Sequence, residues 1–509
     1  MKYLKKHKFI IAVVAVVLIY FLSCSVLYLF EPLSYSGPDL NKYNEYFNMY
    51  SYYGKNVDEN FYIKQISAKD IKFADNDVRL KYVDNTAIAV ATDNVTFNDI
   101  TTLLNDYDAE ICGYIKDVNF YQIEFSDELS FEKLDNICKK LSDSDMFKIV
   151  LPDYFEEMPT DSEESTAYAD KNHYYYDMIN AYDAWSIYNQ YDNDVNVGMI
   201  DVLVDYNNNL LNVANGDDYS LDSLNSSLLY GAESHGTHVA GIINADSAEN
   251  ICGLAYDADL CSYNGVNVST SYWIASICDM ILRKDVKVIN ISMGYNSYIS
   301  ISAQLGDTNA VEYINNENVL FSEILANAIK RGNEFVICVA AGNSTTTSLY
   351  KSFSSYFGYG DKDILSKLDV FNIFDSCPDY VDAEYSFFVA DSPIEEVDNR
   401  IIVVGSVGEN MSYTYFANAG SVDIAAPGEY IYSTLVDNEF GYMSGTSMAT
   451  PFVSGTAAMM FTVNPELSGA QVKEIIMTSA TESVEVNNTD YPVLDAGAAV
   501  SAATKKQMN

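Results

Sequence analysis

Met443-Ser444-Gly445-Thr446-Ser447-Met448-Ala449-Thr450-Pro451 is the stretch from which the rest of the sequence is best interpreted. It runs directly into residues 452–461, an apolar stretch whose composition favours a buried helix. A hydroxyl at the start of such a helix lies beside backbone N–H groups that have no partner within the helix and that stabilise negative charge. Two interpretations follow. Either Thr446 or Ser447 caps the helix, as Ser and Thr commonly do, or Ser447 is a nucleophile.

Three further segments carry the groups that a nucleophilic serine needs. Residues 198–201 (G-M-I-D) end in an acid, residues 235–241 (H-G-T-H-V-A-G) begin with a histidine, and residues 339–343 (V-A-A-G-N) end in an amide. A serine hydroxyl is a poor nucleophile at neutral pH unless a neighbouring base takes its proton. We predict that His235 is that base and that Asp201 fixes its tautomer. His238, one helical turn on, is predicted to pack inward.

In wording, order and spacing, these four segments resemble those of the subtilisin-like serine proteases, the subtilase family, over about residues 176–505. The order Asp201, His235, Ser447 is also the subtilisin order of acid, base and nucleophile. The resemblance implies hydrolysis of peptide bonds through an acyl-enzyme on Ser447. It also implies that the Asn343 amide and the Ser447 N–H hold the oxyanion, whereas the alternative makes Asn343 an ordinary turn residue.

The resemblance further implies a primary substrate pocket lined by two segments with small side chains. Their free backbone groups would let an extended peptide add edge-on, as in strand addition. The implied substrate-binding residues are Ser292, Met293, Gly294, Ala340, Ala341 and Gly342.

The sequence departs from the family pattern beside the acid and at the calcium sites. Val202-Leu203 stand where the family usually has a hydroxyl residue and glycine, and Leu210 stands where it usually has a calcium-ligating Asp. Asp246 and Asn250 lie in the loop of another family calcium site, but a hard cation needs six to eight oxygens. We therefore predict no metal and no cofactor, with calcium at this loop as the open alternative.

Histidine and cysteine patterns also give no support for a metal site. The chain has four histidines and eight cysteines, with no C-x-x-C motif. Most of the cysteines lie among apolar neighbours, where Cys behaves as a small hydrophobic residue, and their pairing cannot be deduced from the sequence.

Short apolar β-type runs alternate with helical patterns across residues 177–461. This alternation predicts an α/β fold with a mainly parallel sheet and helices on both faces. Ligands of such folds bind beyond the carboxyl ends of the strands, where Asp201, Ser292 and Asn343 are expected. Two insertions relative to the family, about residues 295–319 and 344–399, either overhang this edge and restrict substrates or are ordinary surface elaborations.

Residues 61–155 predict a small α+β domain with the order β-β-α-β-α-β, including a strand pair that turns at Asp84-Asn85. Its position resembles that of the subtilase propeptide, which assists folding and then inhibits the active site. Residues 156–172 are acidic and without periodicity, which favours an exposed linker that is cleaved, an uncleaved interdomain linker being the alternative. Residues 173–509 are predicted to form the catalytic domain.

The N-terminus carries a membrane-targeting pattern. Lysines crowd the first eight residues, and residues 9–30 form a charge-free apolar run of 22 residues, long enough to cross a bilayer as a helix. The lysines place the N-terminus in the cytoplasm and the rest outside. A cleaved signal peptide and a lipoprotein signal at Cys24 are the alternatives. Residues 31–60 are interpreted as a stalk.

Composition limits the partners. With 72 acidic and 29 basic residues, the net charge of −43 repels nucleic acid and anionic membrane surfaces. The expected partners are a peptide or protein substrate, the chain's own propeptide as an intramolecular inhibitor, and the membrane through the N-terminal helix. The prediction is an exported, autoprocessed serine endopeptidase at the extracellular face of the membrane, or secreted after processing. The alternative is a catalytically silent extracellular binding protein that retains the fold.

Overall fold

A computed structural model of the chain describes most residues between 60 and 505. The described ranges are 60–64, 66, 68–74, 77–156, 164–165, 173–202, 204–213, 233–246, 251–265, 268–295, 297–304, 307–343, 382–383 and 392–505. The predicted membrane or signal helix (1–30), nearly all of the predicted stalk and most of the second insertion lie outside these ranges. Within the described ranges, no helix combines the length and the apolar composition needed to cross a bilayer.

Strands and helices alternate through the C-terminal two thirds of the described chain. The strands are β1 (Phe61–Tyr62), β2 (Ile71–Ala74), β3 (Asp77–Ala91), β4 (Ala109–Ile115), β5 (Phe120–Phe125), β6 (Phe147–Glu156), β7 (Glu164–Ser165), β8 (Asn196–Asp201), β9 (Asp259–Asn264), β10 (Val268–Ser269), β11 (Val286–Ile291), β12 (Val336–Ala340), β13 (Ile401–Val407), β14 (Ile424–Pro427), β15 (Ile431–Thr434), β16 (Phe440–Met443), β17 (Glu482–Val486) and β18 (Thr489–Val493). The α-helices are α1 (Phe97–Leu104), α2 (Phe131–Ser142), α3 (Tyr174–Met178), α4 (Ala181–Tyr188), α5 (Glu233–Asn244), α6 (Thr270–Arg283), α7 (Ser297–Gln304), α8 (Thr308–Lys330), α9 (Glu395–Asp398), α10 (Thr446–Val463), α11 (Gly469–Ser479) and α12 (Ala496–Lys505).

The central sheet has the strand order β17-β18-β14-β13-β12-β11-β8-β9. Neighbouring strands from β9 to β18 pair in parallel, and β17 pairs with β18 antiparallel. The predicted α/β fold with a mainly parallel sheet is therefore confirmed. The carboxyl ends of β8, β11 and β12 meet at one edge, which places Asp201, Ser292 and Asn343 there.

Helices cover both faces of this sheet, and each face has its own apolar core. Ile289 and Ile291 pack into the core beneath α6 and α8. Val288 and Cys338 pack into the opposite core, whose centre is α10. Because side chains alternate across a strand, continuous apolar strands supply both cores, as is typical of buried parallel sheets.

The N-terminal unit is a second sheet, with the order β1-β4-β5-β3-β6-β10 and β2 on β3. The predicted turn at Asp84-Asn85 is wrong, because β3 is a single strand of 15 residues. Its pairing with β6 shifts register between Tyr82 and Ala87, so the two polar residues are accommodated by an irregularity rather than a turn. Asp84 is buried at this point, 3.4 Å from the Lys72 ammonium.

The N-terminal unit is hydrogen-bonded to the C-terminal part at several places. At one of them, β6 pairs antiparallel with β10. Beside it the buried Asp153 accepts from the Ser271 N–H at 3.0 Å and from the Ser271 hydroxyl at 2.7 Å, at the start of α6. Burial raises the pKa of Asp153 to about 7. Further along the chain, within the predicted linker, β7 pairs antiparallel with β16.

Residues 174–188 form two short helices, α3 and α4, because Asn180 between them adopts the left-handed conformation with φ 53°. The helix α8 begins at Thr308, so the first insertion is largely helical. Its buried Glu317 accepts hydrogen bonds from the Thr270 and Tyr295 hydroxyls, at 2.7 and 2.8 Å.

Candidate active site

The acid and the base are in contact. Asp201 ends β8 with a fully buried side chain, and its Oδ1 lies 2.7 Å from His235 Nδ1. The same oxygen accepts from the Val202 N–H at 2.7 Å. Because a carboxylate only accepts, Nδ1 carries the proton and Nε2 is left as the basic nitrogen.

The electrostatics of His235 suit a base that becomes charged. Burial by itself lowers the pKa of His235, but the charge of Asp201 and its hydrogen bond raise it by more, so the pKa lies above the ordinary 6.5. The Asp201 carboxylate thus favours the imidazolium that forms when His235 accepts a proton. The imidazole is 19% exposed, which leaves one face open to a reacting group.

His238 has a different environment, one turn further along α5. It is fully buried, and its Nε2 donates to the carbonyl oxygen of Ile431 at 2.9 Å. Burial and the neighbouring His235 lower the pKa of His238 to about 3. The prediction that this histidine packs inward is confirmed.

Ser447 is the second residue of α10, and Gly445 is the residue at the N-cap. No side chain caps this helix start, so the alternative in which Thr446 or Ser447 acts as the cap is wrong. The Ser447 N–H belongs to the first helical turn, where N–H groups have no carbonyl four residues earlier in the helix. The serine is partly exposed, in contrast to its neighbours Thr446 and Met448.

The Ser447 hydroxyl donates to the carbonyl oxygen of Ser292 at 3.0 Å. No hydrogen bond joins Ser447 to His235, although the structure describes both residues. The predicted contact of acid and base is present, whereas the Ser447 hydroxyl is hydrogen-bonded to the Ser292 carbonyl and not to His235. Catalytic hydrogen bonds commonly tighten only when substrate is bound.

The Asn343 amide is oriented by the residue before the candidate nucleophile. Its Oδ1 accepts from both the N–H and the hydroxyl of Thr446, each at 3.1 Å. The same hydroxyl accepts from the Gly342 N–H at 3.1 Å. Since Oδ1 is held in this way, the NH₂ group is the end of the amide left for a ligand. A Cβ built on Gly445 would lie 3.3 Å from that nitrogen, so glycine leaves the approach open.

The predicted substrate segments follow β11 and β12 at the same edge. Ser292, Met293, Ala340 and Ala341 are buried, and the two glycines are partly exposed. Gly342 has φ 89°, a conformation that favours glycine. These segments therefore present backbone rather than side chains at the surface.

Metal ligands do not gather in the part of the chain that the structure covers. No group of three or more His, Cys, Asp or Glu side chains there is arranged to hold an ion. Asn250, one of the two residues named for a calcium site, lies outside the described ranges. Calcium at that loop therefore stays an open alternative.

Sequence reasoning missed three polar residues that the structure places behind the site: Thr446, Asn290 and Ser454. Thr446 was considered only as a cap. Asn290 is the one polar residue among the last four of β11 and is fully buried. A buried polar residue within an apolar strand calls for a partner, so this signal was present in the sequence.

Comparison with known proteins agrees with this geometry. Residues 192–496 match the model of the Subtilase family. Subtilisin amylosacchariticus of Bacillus subtilis subsp. amylosacchariticus is 28% identical over 293 residues, which cover 57% of this chain and 61% of that protein. The major intracellular serine protease of Bacillus subtilis (strain 168) is 32% identical over 232 residues, 44% of this chain and 54% of that protein. The chain thus spans less than two thirds of the length of these relatives.

A solved structure shares the fold over a longer stretch. The epidermin leader peptide processing serine protease of Staphylococcus aureus, solved as a mutant, has a TM-score of 0.50 and 17% sequence identity. The similarity covers 82% of this chain and 99% of that one. The family match covers more than half of the 509 residues and includes all four sequence segments that supply Asp201, His235, Asn343 and Ser447. The chain belongs to the subtilase family.

Proposed function

We propose that this subtilase is a serine endopeptidase that hydrolyses peptide bonds through an acyl-enzyme. The observation that carries the proposal is the 2.7 Å contact between Asp201 and His235, at the sheet edge where α10 presents Ser447. A buried acid that raises the pKa of a partly exposed histidine makes that histidine a better proton acceptor. A chain that only bound ligands would have no need of this arrangement.

In the proposed reaction, the Ser447 oxygen attacks the substrate carbonyl carbon and its proton passes to His235 Nε2. Asp201 stabilises the imidazolium. The Asn343 NH₂ group and the Ser447 N–H donate to the oxyanion. His235 then gives its proton to the leaving amine, and a water molecule repeats the sequence to release the acid and regenerate the serine.

Reaction with a fluorophosphonate probe tests this chemistry. We expect one probe molecule per chain, attached to Ser447 and identified by peptide mass spectrometry. Ser447→Ala should abolish labelling, while Ser444→Ala, which removes a hydroxyl three residues away, should not. A folded wild-type chain that stays unlabelled would favour the alternative, a catalytically silent extracellular binding protein.

The proposal extends to synthesis as a zymogen that cleaves itself, with the N-terminal unit as intramolecular inhibitor. In support, the last residue of β6, Glu156, pairs with Val268 of β10. Val268 lies three residues after Gly265, whose N–H donates to the Asp201 carbonyl at 2.8 Å. The next described pairing, of β7, begins at Glu164 on Met443, four residues before Ser447. The described residues on either side of 157–163 therefore lie near Asp201 and near Ser447, respectively. We place the bond that is cleaved between Glu156 and Glu164.

The N-terminus of the mature protein tests self-cleavage. We expect wild-type protein to begin at a residue between 157 and 164, and Ser447→Ala to remain full length. Wild-type protease added in trans to the Ser447→Ala chain distinguishes cleavage within one molecule from cleavage between molecules. Equal processing of both forms when each is produced alone would overturn self-cleavage.

Export is also part of the proposal, and the apolar run at residues 9–30 supports it. The protein would stay at the extracellular face through this segment, or leave it if cleavage releases the catalytic part. Protease added to intact cells should digest the protein, whereas a variant with charged residues within the run should stay protected inside. Protection of the wild-type protein would contradict this location.

A further inference from the structure

The start of α10 contains a carbonyl group that the helix itself cannot satisfy. In an α-helix the Ser447 carbonyl would accept from the N–H of the residue four positions on. That residue is Pro451, inside the helix, which has no N–H and whose ring crowds the same carbonyl. The carbonyl of the candidate nucleophile therefore needs a hydrogen-bond donor from outside the helix.

Ser292 supplies the partner from a different element. Its hydroxyl, 3% exposed, donates to the Ser447 carbonyl oxygen at 2.9 Å. In return, the carbonyl of Ser292 accepts from the Ser447 hydroxyl at 3.0 Å. Ser292 thus holds both ends of the candidate nucleophile, its backbone and its side chain.

The Ser292 hydroxyl is in turn oriented by two buried polar side chains. Asn290 Nδ2 lies 3.0 Å from Ser292 Oγ, and Ser454 Oγ lies 2.8 Å from Asn290 Oδ1. The donors are fixed by elimination. The Ser447 carbonyl can only accept, so the Ser292 hydroxyl must donate to it. Asn290 must then present NH₂ to Ser292 and its oxygen to Ser454.

These side chains lie in an otherwise apolar setting. Asn290 points to the face of β11 that also carries Val288, and its parallel neighbour is Cys338. Ser454 lies two turns into α10 on the side facing this strand, and both Asn290 and Ser454 are fully buried. Polar groups in such a position cost free energy unless every one is paired, and here each one is.

We propose that Ser454, Asn290 and Ser292 form a relay, called here the Ser292 relay, that positions Ser447 for attack. The relay replaces the helical hydrogen bond that Pro451 removes. By fixing the Ser447 carbonyl, it sets the direction of the Ser447 hydroxyl and N–H, which the reaction uses as nucleophile and oxyanion donor. These are positioning residues that act through Ser447, and the inference rests on the proposed function.

The test is the time course of fluorophosphonate labelling of the full chain, measured over a range of probe concentrations up to saturation. The amplitude measures the folded, competent fraction, and the rate constant measures how well Ser447 is positioned. We expect Ser292→Ala to lower the rate constant at least 10-fold, while the probe concentration for half-maximal rate and the acid limb set by His235 stay unchanged. Ser292→Thr keeps the hydroxyl that the buried Ser447 carbonyl needs as a donor. Its rate constant should therefore remain within about threefold of the wild-type value.

Two comparisons sharpen the result. Asn290→Ala and Ser454→Ala should lower the rate constant by successively smaller factors, and Ser454→Ala should have no further effect in the Ser292→Ala background, because the relay is already broken. The matched control is Thr456→Val, which removes another buried α10 hydroxyl, one that donates to the Phe452 carbonyl at 2.8 Å. It should keep the wild-type rate constant.

The outcomes separate the two proposals. If Ser292→Ala lowers only the amplitude, or keeps the wild-type rate constant, the relay is overturned and the endopeptidase proposal stands. A slowing by Thr456→Val equal to that of Ser292→Ala would also overturn the relay, as a general effect of helix packing. An unlabelled wild-type chain would instead overturn the proposed function, and the role of the relay with it.

Discussion

The helices α5 and α10 each bring one candidate catalytic residue to the same sheet edge, but they are held in different ways. The helix α5 is fastened from one side to the β15–β16 hairpin. His238 donates to the Ile431 carbonyl at 2.9 Å, and Ser433 and Thr434 donate to the carbonyls of His238 and Thr237 at 2.8 and 2.7 Å. The helix α10 is buried along nearly all of its length and is surrounded by apolar side chains.

This difference shows how each helix obtains the precision that a reacting group needs. Both helices are buried along nearly all of their described length. In α5, polar contacts to the neighbouring hairpin hold Thr237 and His238. The body of α10 is located mainly by apolar packing, which fixes its axis but not the direction of one hydroxyl. We infer that this is why polar contacts from other elements reach α10 near its start, where Asn343 accepts from Thr446 and Ser292 donates to the carbonyl of Ser447.

The largest expected effect concerns the α5 side, where Asp201 supports His235. Asp201→Asn should lower kcat/KM by about 10⁴-fold, because an amide in place of the carboxylate stabilises the wrong tautomer of the His235 imidazole. In the wild type the raised pKa of His235 means that activity rises with pH through a value above 6.5. In the variant burial remains without the charge, so the residual activity should rise at a lower pH. A pH–rate profile at low substrate measures both, and an unshifted profile would contradict the role of Asp201.

The next effect concerns the α10 side, where Asn343 is held by Thr446. Asn343→Ala should lower kcat by about 10²–10³-fold with little change in KM, the range found when one oxyanion donor is removed from a subtilisin. Asn343→Asp keeps an acceptor for Thr446 but offers no NH₂ group, so it should be at least as inactive. If the aspartate variant retained wild-type kcat, Asn343 would be only a turn residue.

A smaller effect tests the attachment of α5 to its hairpin. A Cβ added at Gly241 would lie 2.2 Å from the Thr434 hydroxyl and 2.4 Å from that of Ser433. Gly241→Ala should therefore lower the free energy of unfolding by about 1–3 kcal/mol, as overpacking does. Chemical denaturation measures the loss. Adding Thr434→Ala removes one of the two crowding hydroxyls and should recover part of the loss; purely additive effects would argue against this contact.

The last effect depends on pH and comes from His238. Its pKa is about 3 in the folded chain and about 6.5 when unfolded, so below pH 6.5 only the unfolded state takes up this proton. The contribution is complete above pH 6.5 and is lost as the pH falls, by about 1.4 kcal/mol per pH unit at most. His238→Gln keeps an N–H donor that does not titrate.

The measurement for His238 is the difference in unfolding free energy between the two proteins from pH 8 to pH 5. The variant should be less stable at pH 8, where a less well-shaped donor replaces the imidazole, and should lose less stability on acidification. A difference that stays constant with pH would show that His238 does not resist protonation. Comparing the two proteins cancels the carboxylates that titrate in both.

The sequence alone determined the candidate chemistry of this protein and its fold class. Short strings such as H-G-T-H-V-A-G carry both the reactive residue and the small neighbours that let its helix pack closely. Continuous apolar strands predicted a parallel sheet, because burial on both faces leaves no polar alternation. The edge that gathers Asp201, Ser292 and Asn343 followed from the direction of the parallel strands.

Tertiary structure decided what depends on contacts between distant segments. The turn expected at Asp84-Asn85 does not form, because pairing of β3 with β6 on one side and β2 on the other outweighs a local preference. The direction of the Ser447 hydroxyl and the orientation of the Asn343 amide depend on partners more than 100 residues away. The opposite pKa shifts of His235 and His238 depend on Asp201, which lies in another element, and on burial. Only folding brings those groups together and excludes water, so no local pattern in the chain encodes them.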